Sequence, residues 1–495
     1  MNFYTNITRW GNNLLLREIA NGERINRRIK YSPTLYCPVE KPTEYKTLDG
    51  RFVAPIKHQS MKEANEWIDN YKSQPDLVYG NTLYAYNYLA DQYPNRVEWD
   101  MEKLLIVTID IEVACEEGFP AIDKADWPIN AITIKLKNDD TYYTWALGKY
   151  DTSKSNYKVN YKSYDKEETL LVEFIQWWSH QSIDVVTGWN SRGFDIPYII
   201  NRIKNIWKRG HTSLVNQLSP FKKVKYHEYN TRFGGKQIEY EISGIQQLDY
   251  LELFKKFGYG FYGTLESYSL NNVSHIVLGE KKLDYSEYGS LHQLYKQDFQ
   301  KFIDYNIKDV ELVERIDEKM GLIELTLTLA YTAHAPIQAA FGTTKIWDTF
   351  IYSYLAERNI VIPPKIIKAK DDQIEGGFVK QPKVGSYNWV VSFDLNSLYP
   401  HLIMQYNISP EKIVGMNPEG TSVNKLLSRK LNLEHLKEKD VFMAPNGATF
   451  KRDNAGFLPR LLDKMYQDRV VYKKKMMEAK KLHQKTKDDK YKNEI

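Results

Sequence analysis

Two acidic clusters each close an apolar run, and their residue types suit divalent-metal chemistry on phosphates. Leu104-Leu105-Ile106-Val107-Thr108-Ile109 runs directly into Asp110-Ile111-Glu112. Trp389-Val390-Val391-Ser392-Phe393 runs into Asp394-Leu395-Asn396-Ser397-Leu398-Tyr399-Pro400. Hard divalent cations take oxygen ligands, and a strand that delivers carboxylates at its end can hold such ions against a phosphate. Asp110 and Glu112 are two apart, so a strand points both to one face. A third carboxylate, Asp195, ends the stretch Asn190-Ser191-Arg192-Gly193-Phe194-Asp195 at a loop-to-helix junction. A fourth, Asp309, closes Tyr305-Asn306-Ile307-Lys308-Asp309, where the spacing of Tyr305 and Asp309 places both on one helix face. Taken singly, each has a bland reading, because strand ends and helix surfaces often carry acids that only face water.

The elements that must position these groups follow from periodicity. Residues 104 to about 145 read as a strand meander after the acidic pair. Leu170 to Trp178 has apolar residues at helical spacing. Ile183-Asp184-Val185-Val186-Thr187 reads as a short strand leading into Gly188-Trp189-Asn190, with a helix from Ile196 to Trp207. Residues 223–242 read as a β-hairpin with Gly234-Gly235 at its turn. Its Lys222, Lys223, Lys225, Arg232 and Lys236 suit either a phosphate backbone or plain solvent. Phe299, Phe302, Ile303, Ile307, Val310, Val313 and Ile316 mark the apolar face of a helix from Leu291 to about Met320. Pro363-Pro364 and Gly376-Gly377 mark a linker or turn before the second acidic run. The segment Lys464–Ile495 reads as a basic helix, with 11 Lys or Arg against 5 Asp or Glu.

At 495 residues the chain exceeds one core, so about two to four domains are expected. Hydrophobic content of 42 % and charged content of 26 % are those of a globular protein. The 37 tyrosines suit both core packing and base stacking. A net charge of +5 suits a polyanionic partner only where the positive charge is clustered. Cys37 and Cys115 alone exclude a disulfide framework and a Cys-rich zinc site. No apolar stretch reaches about 18 residues, so no membrane span is expected. The first residues lack the pattern of a signal peptide, and a cytoplasmic location is the expectation.

The order D-x-E, N-x3-F-D, Y-x3-D resembles the three motifs of the proofreading 3′–5′ exonucleases, which have an RNase-H-like fold. The resemblance implies two Mg²⁺ or Mn²⁺ ions about 4 Å apart bracketing a scissile phosphate. Asp110, Glu112, Asp195 and Asp309 would ligate them, and Tyr305 would orient the attacking water. Asn190 and Phe194 would hold the primer end. The stretch Asp394 to Pro400 resembles the D-x2-S-L-Y-P motif of family B DNA polymerases. Trp189 to Arg202, Ser267-Tyr268-Ser269-Leu270, Asn407-Ile408-Ser409-Pro410-Glu411 and Ala444-Pro445-Asn446-Gly447 extend the likeness toward the T-even-type phage members. By that resemblance Asp394 would ligate two metal ions of nucleotidyl transfer, and the Leu395 carbonyl would add a ligand. Ser397 and Leu398 would offer N–H groups to a dNTP, and Tyr399 would exclude a 2′-hydroxyl. Arg469 and Lys473, four apart on one helix face, would bind the triphosphate. Ile374-Glu375-Gly376-Gly377 departs from the family pattern, with Ile at its usual Tyr. His401 stands where a Ser is common.

The family's K-x3-N-S-x-Y-G and D-T-D pieces do not follow Pro400. Without the second aspartate of D-T-D, the polymerase centre is incomplete in this chain. The expectation is therefore one chain of a split enzyme or a segment of a longer one. Primer-template and single-stranded DNA would be its substrates, and a second chain would carry the rest of palm, fingers and thumb. A sliding clamp would bind through that other part, in the host cytoplasm if the source is viral. The fold expected is a multi-domain α/β one. It comprises an N-terminal domain at 1–104 with a returning piece at 322–365, an exonuclease domain at 105–321, a partial palm at 366–455 and the start of the fingers at 456–495. A free-standing exonuclease and a non-catalytic primer-template binding subunit are the alternative readings.

Overall fold

A computed structural model describes residues 1–486 apart from 95, 117, 209, 231–235, 365–378, 417–420, 422, 432–433 and 438. Gly234-Gly235, Arg232, Ile374 to Gly377 and the last residues of the basic segment lie outside the described residues. The chain divides into two compact units, Met1–Cys37 with Ala54–Arg358 and Pro38–Val53 with Asn359–Ile495.

The first unit opens with an antiparallel sheet of β1 (Asn2–Trp10), β2 (Asn13–Ala20) and β3 (Glu23–Lys30). Its apolar face, with Phe3, Tyr4, Leu14, Leu16 and Ile19, joins one core. The helices α1 (Met61–Asn70) and α2 (Tyr84–Gln92) add Met61, Ala64, Tyr84 and Leu89 to it.

A six-stranded mixed sheet follows. Its strands are β4 (Ile106–Val113), β5 (Ile129–Leu136), β6 (Thr141–Ala146), β7 (Lys158–Ser163), β8 (Val185–Thr187) and, after the hairpin, a two-residue strand at Gln246–Gln247. The spatial order is β7-β6-β5-β4-β8 and then 246–247. β4 pairs antiparallel with β5 and parallel with β8. This central place buries β4 on both faces. Val107, Ile109 and Ile111 pack against α3 (Glu167–His180) and α4 (Asp195–Ile206). The alternate residues face the other way, as a two-residue repeat requires. Ile106 joins the core that contains Leu312, Val313 and Ile316, and Asp110 meets Asn306. The register shifts between Glu112 and Val113, a bulge of the kind that re-aims side chains at a strand's end.

The hairpin pairs β9 (Val224–Asn230) with β10 (Lys236–Ile242). Beyond the Gln246–Gln247 strand come α5 (Tyr250–Phe257), α6 (Leu270–Leu278), α7 (Phe299–Met320) and α8 (Leu322–Thr332). The helix expected over Leu291 to Met320 is broken at Asp298, where φ is −140° and the side chain accepts a hydrogen bond from the Lys301 N–H. An Asp that caps the following turn competes with helix continuation. Gly321, at φ +61°, ends α7.

The second unit holds α9 (Leu398–Gln405), an antiparallel sheet of β10's successors, β11 (Ile413–Met416), β12 (Val441–Met443) and β13 (Ala448–Lys451), and the long α10 (Phe457–Thr486). The strand expected over Trp389–Phe393 is not formed. These residues are irregular and open to solvent, with Trp389 at 97 % and Phe393 at 90 % exposure. A wholly apolar strand is stable only between neighbours that cover it, and no strand among the described residues pairs with this one. No helix among the described residues is long and apolar enough to cross a membrane.

Candidate active site

Three elements distant in sequence bring the first acidic cluster together. β4 delivers Asp110 and Glu112, the first turn of α4 delivers Asp195, and α7 delivers Tyr305 and Asp309. Asp110, Glu112 and Asp309 each place one carboxylate oxygen within 4.8 Å of the others. Asp195 joins them through the backbone, its Oδ1 accepting from the Ile111 N–H at 2.9 Å. The Asn306 side-chain amide donates to Asp110 Oδ2 at 2.6 Å. Lys282 sends its ammonium into the cluster, donating to Asp309 Oδ2 and, at 3.1 Å, to the Tyr305 hydroxyl. Asp309 Oδ1 is buried without a hydrogen-bond partner.

The electrostatics follow from this crowding. Burial, then Asp309, Asp195 and Glu112, holds the Asp110 carboxyl well above its ordinary pKa. Burial, with Asp309 next, pushes Glu112 up to about 8. Burial pushes Asp195 up to about 8 against the opposing Ile111 N–H. Asp309 is raised by burial and pulled back by Lys282. Burial works against the Lys282 charge, but Asp309, Tyr305 and Asp110 more than reverse it, so the ammonium is held well above its usual value. Several like charges in a low-dielectric site favour protonation unless cations neutralise them. An all-oxygen donor set, with one buried carboxylate oxygen free of hydrogen bonds, fits hard divalent ions.

A second layer of contacts fixes the Asp195 loop. Asn190 adopts φ +67°, a left-handed conformation that Asn tolerates better than most residues. The buried Asp249 holds this turn. Its Oδ1 accepts from the Asn190 N–H at 3.1 Å and the Leu251 N–H at 2.9 Å, and its Oδ2 from the Arg192 N–H at 2.9 Å. Burial pushes Asp249 up to about 6. Gly193 and Phe194 donate their N–H groups to the Asn190 carbonyl. Gly188 precedes the loop where a Cβ would lie 2.4 Å from the Ile109 carbonyl oxygen, so only glycine lets β8 turn here beside β4. Phe194 packs against Phe119 at 4.9 Å between ring centroids, and Phe119 is 73 % exposed. The Trp189 indole donates to the Tyr268 carbonyl at 3.2 Å. The stretch Ser267 to Leu270 thus braces the same loop.

Lys282, Asn306, Asp249 and Phe119 were not singled out from sequence. Asn306 sits inside the Tyr305–Asp309 stretch and could have been found by helical projection. Lys282 lies in an irregular stretch with no periodicity to flag it. Comparison with known proteins bears on both acidic clusters. Residues 79–273 match the family described as "DNA polymerase family B, exonuclease domain", and residues 342–493 match "DNA polymerase family B". The DNA-directed DNA polymerase of Escherichia phage RB69 is 32 % identical over 97 % of this chain and 54 % of its own length. That of Enterobacteria phage T4 is 32 % identical over 96 % of this chain and 54 % of its own.

The chain belongs to the family B DNA polymerases. It spans about half the length of these phage relatives. A DNA polymerase delta catalytic subunit of Candida albicans is 25 % identical over 75 % of this chain and 35 % of its own length.

In this family B chain the second acidic cluster is arranged differently. Asp394 and Leu395 lie in the exposed irregular stretch, and Tyr399 is exposed at the start of α9. Ser397 takes φ +54° and its hydroxyl accepts from Arg469 Nη1 at 2.6 Å. His401 packs against Tyr466 of α10 with ring centroids 4.7 Å apart. Ser397 and Arg469 are thereby brought together, while Lys473, one turn further along α10, is exposed. The Asn407 to Glu411 stretch organises the start of α10. Asn407 Oδ1 accepts from the Gly456 N–H at 2.7 Å, and its amide donates to the Lys451 carbonyl at 2.8 Å. Glu411 accepts from the Phe457 N–H at 2.6 Å. A Cβ on Gly456 would lie 2.5 Å from the Ser409 Cβ.

Proposed function

We propose that the chain removes nucleotides from DNA 3′ ends by metal-assisted phosphodiester hydrolysis, and that it contributes one half of a polymerase centre. The observation that carries the hydrolytic reading is the convergence of Asp110, Glu112 and Asp309 on one point, with Asp195 tied to the same strand. Asp110, Glu112, Asp195 and Asp309 would hold two Mg²⁺ or Mn²⁺ ions. Bound there, such ions supply Lewis acidity, hydroxide at neutral pH and charge neutralisation of the leaving 3′-oxygen. Tyr305, on the face of α7 that carries Asp309, orients the attacking water through its hydroxyl. Phe194 and the exposed Phe119 offer faces on which the terminal bases of single-stranded DNA stack, and Asn190 shapes the loop that presents Phe194.

The same reading assigns an RNase-H-like exonuclease domain to 105–321, and an N-terminal domain to 1–104 with 322–365. The palm portion is 366–455 and the fingers begin near 456. Asp394 and the Leu395 carbonyl ligate metal in nucleotidyl transfer. Ser397, Leu398, Tyr399, Arg469 and Lys473 receive a dNTP, and primer-template DNA is the other substrate. A further polypeptide part supplies the second aspartate and the clamp contact. The solvent-open apolar run at 389–393 supports this, because such a run suits pairing with added strands. The work place is the host cytoplasm. The match of 342–493 to the polymerase family speaks against a free-standing exonuclease.

Incubation of the 495-residue chain with Mg²⁺ and a 3′-ended single strand tests the proposal. Mononucleotides are expected, and Asp110→Ala should abolish them. No release by the wild type, or undiminished release by the variant, would sink the reading.

A further inference from the structure

The search of side-chain clusters turns up one charge that the hydrolytic scheme does not use. Lys282 lies in the irregular stretch between α6 and α7, and that stretch is pinned to both helices. Its backbone N–H donates to the Asn271 side chain at 3.0 Å. Two residues earlier, Glu280 forms a forked pair with Arg315 and a contact of 3.2 Å to Lys308 on α7. The Lys282 ammonium is thus aimed at Asp309 Oδ2 and stands 5.1 Å from the centre of the Tyr305 ring. Its side chain keeps 26 % exposure, against 4 % for Asp309. A flexible stem with a solvent-open side can withdraw, whereas the carboxylate cannot.

Asp309 is half engaged: Oδ2 faces the ammonium and Oδ1 faces no donor. A divalent ion drawn by Asp110, Glu112 and Asp309 would meet a positive charge already on one of its ligands. We propose that Lys282 is a built-in counter-cation. It neutralises Asp309 in the metal-free protein and yields that oxygen when a divalent ion enters, so it sets the site's affinity for the ion. The inference rests on the reading of the cluster as a metal site.

Removing the charge has two opposite consequences. The metal-free fold loses its only nearby positive partner for Asp309 among the described residues, and breaking a buried pair leaves an uncompensated charge. The metal-bound fold loses a competitor. Mn²⁺ titration by calorimetry, on the full chain without DNA, reads both through affinity and melting temperature. Lys282→Met and Lys282→Ala should bind Mn²⁺ about tenfold more tightly than wild type. They should melt lower without Mn²⁺ and gain more on adding it. Lys282→Arg, which keeps the charge, should track wild type. Unchanged or weaker Mn²⁺ affinity in a folded Met or Ala variant overturns the proposal. A wild type that takes up no Mn²⁺ overturns the metal-site reading itself, which separates the two failures. Should neither variant fold, acylation of wild-type lysines followed by mass spectrometry decides. Lys282 labelling should rise when Mn²⁺ is added, and a constant or falling signal overturns the proposal.

Discussion

Asp110 and Asp394 both close apolar runs, yet the two runs end in opposite environments. Val107, Ile109 and Ile111 are 0 %, 1 % and 4 % exposed. Val390, Val391 and Phe393 are 77 %, 70 % and 90 % exposed. Composition does not separate them; neighbours do. β4 has β5 and β8 on its flanks and helices on both faces, and the second run has no paired strand among the described residues. A carboxylate acquires unusual chemistry only when the sheet around it is complete. The first cluster has that surround, with Asn306, Lys282 and the Ile111 N–H all directed at it.

The contrast can be broken most directly at the ligands. Asp309→Ala should lower nucleotide release from a single-stranded 3′ end by about 10²–10³-fold, the scale of losing one preorganised charge-stabilising group. Measured by single-turnover assay, a loss below tenfold would mean that α7 does not contribute to the reaction. Next in size is the support of the loop. Asp249→Ala strands three N–H donors in a buried turn, at about 1–3 kcal/mol for each buried donor left unpaired. A fall in melting temperature with a matching fall in nucleotide release is expected.

The metal-free protein should also show a pH slope set by the first cluster. Glu112 and Asp195 stand at about 8 in the fold, against roughly 4 in an unfolded chain. Between these values the folded form holds protons that the unfolded form has lost, so stability falls as pH rises through that window. Melting curves in chelator should show the decline, and Mg²⁺ should flatten it. The smallest effects belong to the second run. Val390→Ser should change stability by less than about 0.5 kcal/mol, as for other open surface positions. Ile109→Ala, in the buried run, should cost about 2–5 kcal/mol by denaturant titration. Equal costs would show that the second run is covered in solution.

What sequence reveals here depends on the range of the interaction. The same-face pair Asp110 and Glu112 follows from a two-residue repeat, and Tyr305 with Asp309 from a helical one; both are local. Asp195 is legible through its motif at a loop-to-helix junction. Lys282 is not, because its aim is set by Glu280 on Arg315 and by Asn271, contacts between elements that no short window contains. The strand expected at 389–393 shows the opposite error. Its residues have strand character, but that character is a preference for a covered, pleated surface and not for the extended chain itself. The break at Asp298 is a third case, where one capping side chain overrides an otherwise continuous apolar stripe.

The hydrogen bond from Asn306 to Asp110 joins residues 196 positions apart. Loop closure of that length is entropically costly until the intervening sheet and helices have formed. Hydrolytic competence should therefore be among the last properties regained on refolding from denaturant, after helical circular dichroism and after β4 is protected from hydrogen exchange. A nascent or partly unfolded chain would carry all its acidic residues and still leave nucleic acid uncut.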